Sequence, residues 1–262
     1  MQRYFTTLRV FWGTSVAAEA EYRINFVLAV LNSLLNLGGS LFGLFLFYRT
    51  GYQPGGWPWE AALVVLGIYT VMDGMCGTFL APNLSRIVQL IQDGTMDFVL
   101  LKPMDSQFWL SARNLSLWGL PNVAFGLVMI GYAAVKLGVT AGALAHGLLF
   151  FVPGLLVLYS LWFILGTLSI WFVKVYNVTF VLRSVLEAGR YPLDAYPAGF
   201  RFFFTFLIPV AFLTTIPARA VTGGGGFDPI LLGVAFALGV ALLAVSRAFW
   251  RFALRFYTSA SS

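Results

Sequence analysis

Residues 147–173 read GLLFFVPGLLVLYSLWFILGTLSIWFV, without one Lys, Arg, Asp or Glu. A helix needs about 20 predominantly apolar residues to cross the hydrocarbon of a bilayer, and this run is longer than that. In water, so long an uncharged helix would have to be wrapped by protein on every side. The rest of the chain cannot supply the wrapping. Of its 262 residues 60% are hydrophobic and only 10% charged, and the mean hydropathy is +0.85, where a soluble domain carries about 25% charged residues. The fold class that follows is an all-α integral membrane protein.

Working outward, residues 26–47, 61–80, 115–137, 202–217 and 230–245 are further runs of this kind. The run at 202–217 is short and holds Pro209 and Pro217, so a kink or break is expected there. Together the runs predict six transmembrane helices, which puts both termini on one side. With the termini inside, all of the 16 Lys and Arg except Arg49, Lys136 and Arg219 fall on the inner side, as the positive-inside rule prefers. The same distribution argues against a further crossing at residues 175–187, which would send Arg247, Arg251 and Arg255 outside. Ahead of the first span, Tyr4, Phe5, Leu8, Phe11, Trp12 and Val16 recur at helical spacing, with Arg3, Arg9 and Glu19 elsewhere on the wheel. This pattern predicts an amphipathic helix on the inner membrane surface within residues 1–25. Charges interrupt the apolar residues at the start of the chain, so no cleavable signal peptide is expected and the first span serves as its own insertion signal.

Two inner-side segments are too long for turns. In residues 83–114, Leu84, Ile87, Val88, Leu90 and Ile91 follow a helical period; Gly94 ends that helix and Pro103 ends the short stretch after it. In residues 174–201, a helix is expected over 177–188 and irregular chain over 191–197. The tract Gly223–Gly226 reads as a flexible outer turn.

The composition excludes several chemistries. The Gly223–Gly226 tract is followed by Phe227 and Asp228, with no Lys and no hydroxyl, so it is not a phosphate loop. ATP and magnesium, if they drive this protein, are expected on another polypeptide, and no cofactor or metal is expected on this one. The single His146 has no second imidazole with which to share a metal, and the single Cys76 lies in an apolar run and reads as a small buried hydrophobe. No basic cluster stands beside a soluble fold, so nucleic acid is not an expected partner. Asp73 is the one carboxylate well inside a span, where a charge costs roughly 2.5–3.5 kcal/mol on insertion scales. It is expected either to contact substrate in a translocation path or to pair within a subunit interface. Packing is favoured, because no second membrane acid is present to form a relay. The glycines Gly38, Gly39 and Gly43 of the first span and Gly67, Gly74 and Gly77 of the second read as close helix approaches. The aromatic run Phe200–Phe206 reads as membrane-interface anchoring.

The stretch Ile91-Gln92-Asp93-Gly94-Thr95-Met96-Asp97-Phe98-Val99-Leu100-Leu101-Lys102-Pro103 resembles the pattern I-x-x-G-x-[LM]-D-x-x-L-L-[KR]-P of ABC-2-type permeases, in a bacterial branch of that family. Tyr22-Arg23-x-Asn25-Phe26, Ile208-Pro209-Val210-Ala211-Phe212 and the ending Tyr257-Thr258-Ser259-Ala260-Ser261-Ser262 are similar to it as well. The resemblance implies a half-transporter of the cell inner membrane: two permease subunits pair, each meets a cytoplasmic ATPase subunit, and the direction is export. It also implies a coupling helix over about residues 84–94, with Leu84, Ile87 and Ile91 buried in an ATPase groove, Leu90 and Gly94 completing the helix, and Arg86, Gln89 and Asp93 fixing its orientation. Broken helices on the outer side near spans five and six are implied too, and the short segment 218–229 leaves little room for them. An ion-coupled secondary transporter or a membrane assembly scaffold is the alternative reading.

Overall fold

The computed structural model describes residues 2–172, 178–223 and 228–257, and these are helical with no strand. Helix α1 spans Gln2–Ala20 and α2 spans Arg23–Arg49; α3 runs from Trp59 to Gln92. A single turn at Asp97–Leu100 and α4, Ser106–Ala112, follow. The long helices α5, Leu117–Leu137, and α6, Ala141–Ile170, form a hairpin; α7 is Val178–Glu187. Helices α8, Ala198–Leu207, and α9, Val210–Thr222, are bent by 75° relative to each other, and α10 is Pro229–Ala253. Five of these, α2, α3, α5, α6 and α10, are long and apolar enough to cross a membrane. The expected Val173, most of Gly223–Gly226, and the ending after Tyr257 lie outside the described residues.

Helix α3 is the axis of the bundle. It packs antiparallel to α5 through glycines seven residues apart on each helix: Gly67 faces Gly126, and Gly74 faces Gly119. A Cβ on Gly126 would stand 2.7 Å from the Gly67 carbonyl oxygen, and one on Gly74 would stand 2.7 Å from the Val123 nitrogen. The expected close approach therefore holds for Gly67 and Gly74. It does not hold within this chain for Gly38 and Gly39 of α2, around which a Cβ meets nothing within 4 Å.

Helix α3 does not stop where the second apolar run ends. Residues Cys76–Leu80 form one π turn, and the α-helix resumes through Pro82 to Gln92. Pro82 has no N–H to give to the Thr78 carbonyl; Ser116 N–H fills that place at 2.9 Å. Asn83, fully buried, then clasps the far end of the connection: its Nδ2 donates to the Asn114 carbonyl and its Oδ1 accepts from Asn114 N–H, at 2.7 and 2.8 Å. The segment at 84–92 is thus the lower half of one long helix, not a helix detached from the span by a loop. It ends where expected: Gly94, at φ 66°, turns the chain, and Thr95 N–H caps the Leu90 carbonyl at 2.9 Å.

The chain from α7 to α9 packs along α3. Arg183 on α7 shares a cavity with Pro82 and Ser85. Eleven residues on, Asp194 accepts a hydrogen bond from Trp57 Nε1 at 2.9 Å. Pro82 and Trp57 stand at opposite ends of the second span, about 35 Å apart at 1.5 Å per residue. Between Arg183 and Asp194 the chain therefore runs along α3 toward Trp57, touching Tyr69 through Arg190 and Ser40 through Tyr191 on the way. Helices α8 and α9 then start and finish at the same end: Arg219 near the end of α9 binds Asp194 at 2.5 Å, and Thr215 Oγ1 accepts from Leu193 N–H at 3.2 Å. The apolar run at 202–217 is broken at Ile208–Pro209, between α8 and α9.

Candidate functional site

A cavity of about 430 Å³ opens between α2, α3, α5 and α7. Asp73 lies in its wall, about 21 Å along α3 from Trp59, and its Oδ2 accepts a hydrogen bond from Asn122 Nδ2 on α5 at 2.7 Å. Helix α2 contributes Asn32, Ser33 and Asn36, which with Ser40 form a polar stripe at three- and four-residue spacing. Helix α7 contributes Arg183, the cation with the largest electrostatic influence on Asp73. The two charges line one space without forming an ion pair; the ion pairs among the described residues are Arg190–Glu187, Arg219–Asp194 and Arg247–Asp105. Asn32, Asn36, Asn122 and Arg183 escaped the sequence reading. The α2 stripe was visible in the spacing of its amides, whereas Asn122 and Arg183 become site residues only through the contact of three helices.

The coupling residues separate into two groups. Leu84 and Ile87 are buried within this chain, under Gly166 of α6, with Ile87 wholly inaccessible. Leu90 and Ile91 pack half-buried against the same core. The apolar side chains of Leu84 and Ile87 thus meet α6 within this chain. Arg86, Gln89 and Asp93 are exposed on the opposite face, and Arg86 Nη1 donates to Gln89 Oε1 at 3.0 Å. The apolar surface presented beside them comes from the turn after Gly94: Phe98 is 69% exposed and Leu101 81%.

The turn leads into α4, which is fastened to α6 and α10. Asp105 caps α4 by accepting from Phe108 N–H at 2.8 Å and pairs with both guanidinium nitrogens of Arg247 on α10. Those hydrogen bonds hold the Asp105 carboxyl below the usual carboxylate range. Trp250 Nε1 donates to Ser106 Oγ at 3.0 Å, and Ser111 shares a 2.8 Å hydrogen bond with Tyr159 of α6. Helix α1 covers the other side, setting Tyr4 edge-on to Phe108 at 4.8 Å and Phe11 edge-on to Trp109 at 4.7 Å. Through α4 the exposed turn adjoins α1, α6 and α10.

Among known families, that of the ABC-2 family transporter protein matches residues 34–261. A search of curated proteins found no match.

Proposed function

We propose, because the chain belongs to the ABC-2 family of transporter proteins, that this permease forms half of an export path and is driven by ATP and magnesium bound to a separate ATPase subunit. The observation that carries the reading is the cavity between α2 and α3, where opposite charges and three amides line a space inside otherwise apolar helices. A carboxylate at that depth is tolerated where it faces a partner or a water-filled path, and here it has both: Asn122 at one oxygen and the cavity beside it. Asp73 accordingly belongs to the path as well as to the packing of α3 on α5.

The arrangement is read as six crossings of the cell inner membrane, with the fifth being the irregular passage through α7 and Asp194, and both termini inside. On this topology Arg201 joins Arg49, Lys136 and Arg219 outside, Arg190 lies within the protein against Tyr69, and the remaining basic residues still favour the inner side. The Asp194–Arg219–Trp57 cluster and the α8–α9 pair then close the outer end. A second permease subunit covers the exposed side of α2. The ATPase meets Arg86, Gln89, Asp93, Phe98 and Leu101, and the base formed by α4 carries its motion to the spans.

The test is to purify the tagged chain from its native membrane under mild detergent. An ATPase with a phosphate loop is expected to copurify, and its hydrolysis in nanodiscs is expected to depend on this chain. A chain that purifies without any ATPase, and supports flux under an ion gradient alone, would favour the secondary-transporter reading.

A further inference from the structure

Asp73 and Arg183 carry opposite charges and line the same cavity without closing on each other. Each is held by its own helix. Asp73 is fixed by Asn122 on the α3–α5 seam, where the glycines leave the backbone no freedom to shift. Arg183 sits on α7, which is anchored through Arg190 over the Tyr69 ring at 5.1 Å. What fits between them must present a positive group to one wall and a negative group to the other. The amides of Asn32 and Asn36, able both to donate and to accept, suit the middle of such a ligand. On either side of that amide stripe α2 is apolar and exposed, with Leu28, Leu31 and Leu35 between 51% and 76% accessible. A volume of about 430 Å³ lies within the range of small-ligand pockets, about 300–1,000 Å³.

We propose that this cavity binds the headgroup of a zwitterionic amphiphile, its ammonium at Asp73 and its phosphate or carboxylate at Arg183, with the apolar tail along the leucines of α2. The proposal rests on reading the cavity as part of the transport path, and adds the class of cargo to that reading. A purely cationic or purely anionic headgroup would leave one of the two charges unmatched, which sets the direction of selectivity.

Binding to the intact transporter in nanodiscs is measured with three short-chain lipids of equal tail length: phosphatidylethanolamine, phosphatidylglycerol and a trimethylammonium lipid. The zwitterion is expected to bind at least about tenfold more tightly than either other, the scale of one charge-assisted hydrogen bond. Asp73→Asn, which keeps an acceptor for Asn122, is expected to erase the advantage over phosphatidylglycerol; Arg183→Gln to erase the advantage over the cationic lipid; and Arg183→Lys to restore it. Equal binding of the three lipids by the unaltered protein, or selectivity unmoved by the substitutions in a protein of unchanged thermal stability, overturns the proposal. O-phosphoethanolamine separates the sources of this chemistry: binding as tight as the lipid's supports the charge assignment and overturns the place given to the tail. Lost selectivity with full ATP-driven transport leaves the binding site standing as a lipid site and overturns the path reading on which the cargo assignment depends.

Discussion

Helices α2 and α3 are equally hydropathic, yet the structure uses them in opposite ways. The most apolar window of each averages 1.7 in hydropathy, but 72% of that window is buried in α3 and only 17% in α2. Glycine placement accounts for the difference. In α3, Gly67 and Gly74 meet Gly126 and Gly119, so the backbones close; in α2, Gly38 and Gly39 face open space. Within this subunit α3 is a fixed post and α2 a wall held at separate points, where Phe26 meets the Trp118 ring, Tyr48 donates to the Trp57 carbonyl and Tyr191 to that of Ser40. The cavity lies between the fixed element and the loosely held one, which is where a path that opens and closes has room to do so.

The comparison breaks first, and with the largest effect, on α3. Gly126→Leu forces side-chain atoms into the Gly67 and Val71 backbone, an overpacking worth about 1–3 kcal/mol or more. Thermal denaturation in detergent should fall by several degrees, about 2–4 °C for each kcal/mol, or the folded protein should not be recovered. Ile87→Asp belongs to the same class: a charge at a wholly enclosed position is expected to prevent folding, not merely to detach the ATPase. Its surface counterpart, Leu101→Asp, is expected to leave thermal stability unchanged while reducing copurification of the ATPase. A folded Ile87→Asp protein lacking only its partner would restore Ile87 as the docking anchor.

An intermediate effect is expected at the inner base. Asp105→Asn keeps the cap acceptor but gives up the charge that Arg247 binds. Because the native carboxyl titrates below its usual range, the pair's contribution is intact above the ordinary aspartate value of about 3.9 and is lost as the pH falls from there through the lowered one. Acid unfolding followed by tryptophan fluorescence should show that loss in the unaltered protein and a flatter profile in Asp105→Asn. The smallest effect belongs to α2. Gly39→Leu should change the stability of the lone subunit by less than about 0.5 kcal/mol, as for a surface site; a large loss would mean that α2 is as tightly held as α3.

How much of this was legible in the sequence follows the same division. Five spans were visible because each is long and apolar, and the Gly94 stop and the helical period from Leu84 to Ile91 were visible because local geometry sets them. Hydropathy passed over α7 and its continuation because they carry Arg183, Glu187 and Arg190. Arg183 and Glu187 are exposed in this subunit, whereas Arg190 is half-buried, donates to the Tyr69 hydroxyl and sets its guanidinium over that ring. The phenylalanine-rich run at 202–217 reads as one apolar stretch, whereas the 75° bend between α8 and α9 and the Asp194–Arg219 link are tertiary features that hydropathy does not carry. The inward face of Leu84 and Ile87 was hidden for a related reason. An amphipathic period says that one face is covered, but not whether the cover is a partner or, as here, α6.

The central claim is that Asp73 serves the cavity and is not only a clasp on α5. It is tested most directly by measuring thermal stability and ATP-driven transport of Asp73→Asn in the same reconstituted preparation. The amide keeps the oxygen that accepts from Asn122 and removes the charge that faces Arg183. The account predicts a denaturation temperature within about 2 °C of the unaltered protein, a loss below 1 kcal/mol at this size, together with loss of transport. Wild-type transport at unchanged stability, or a fall in stability that by itself accounts for the lost transport, would contradict it.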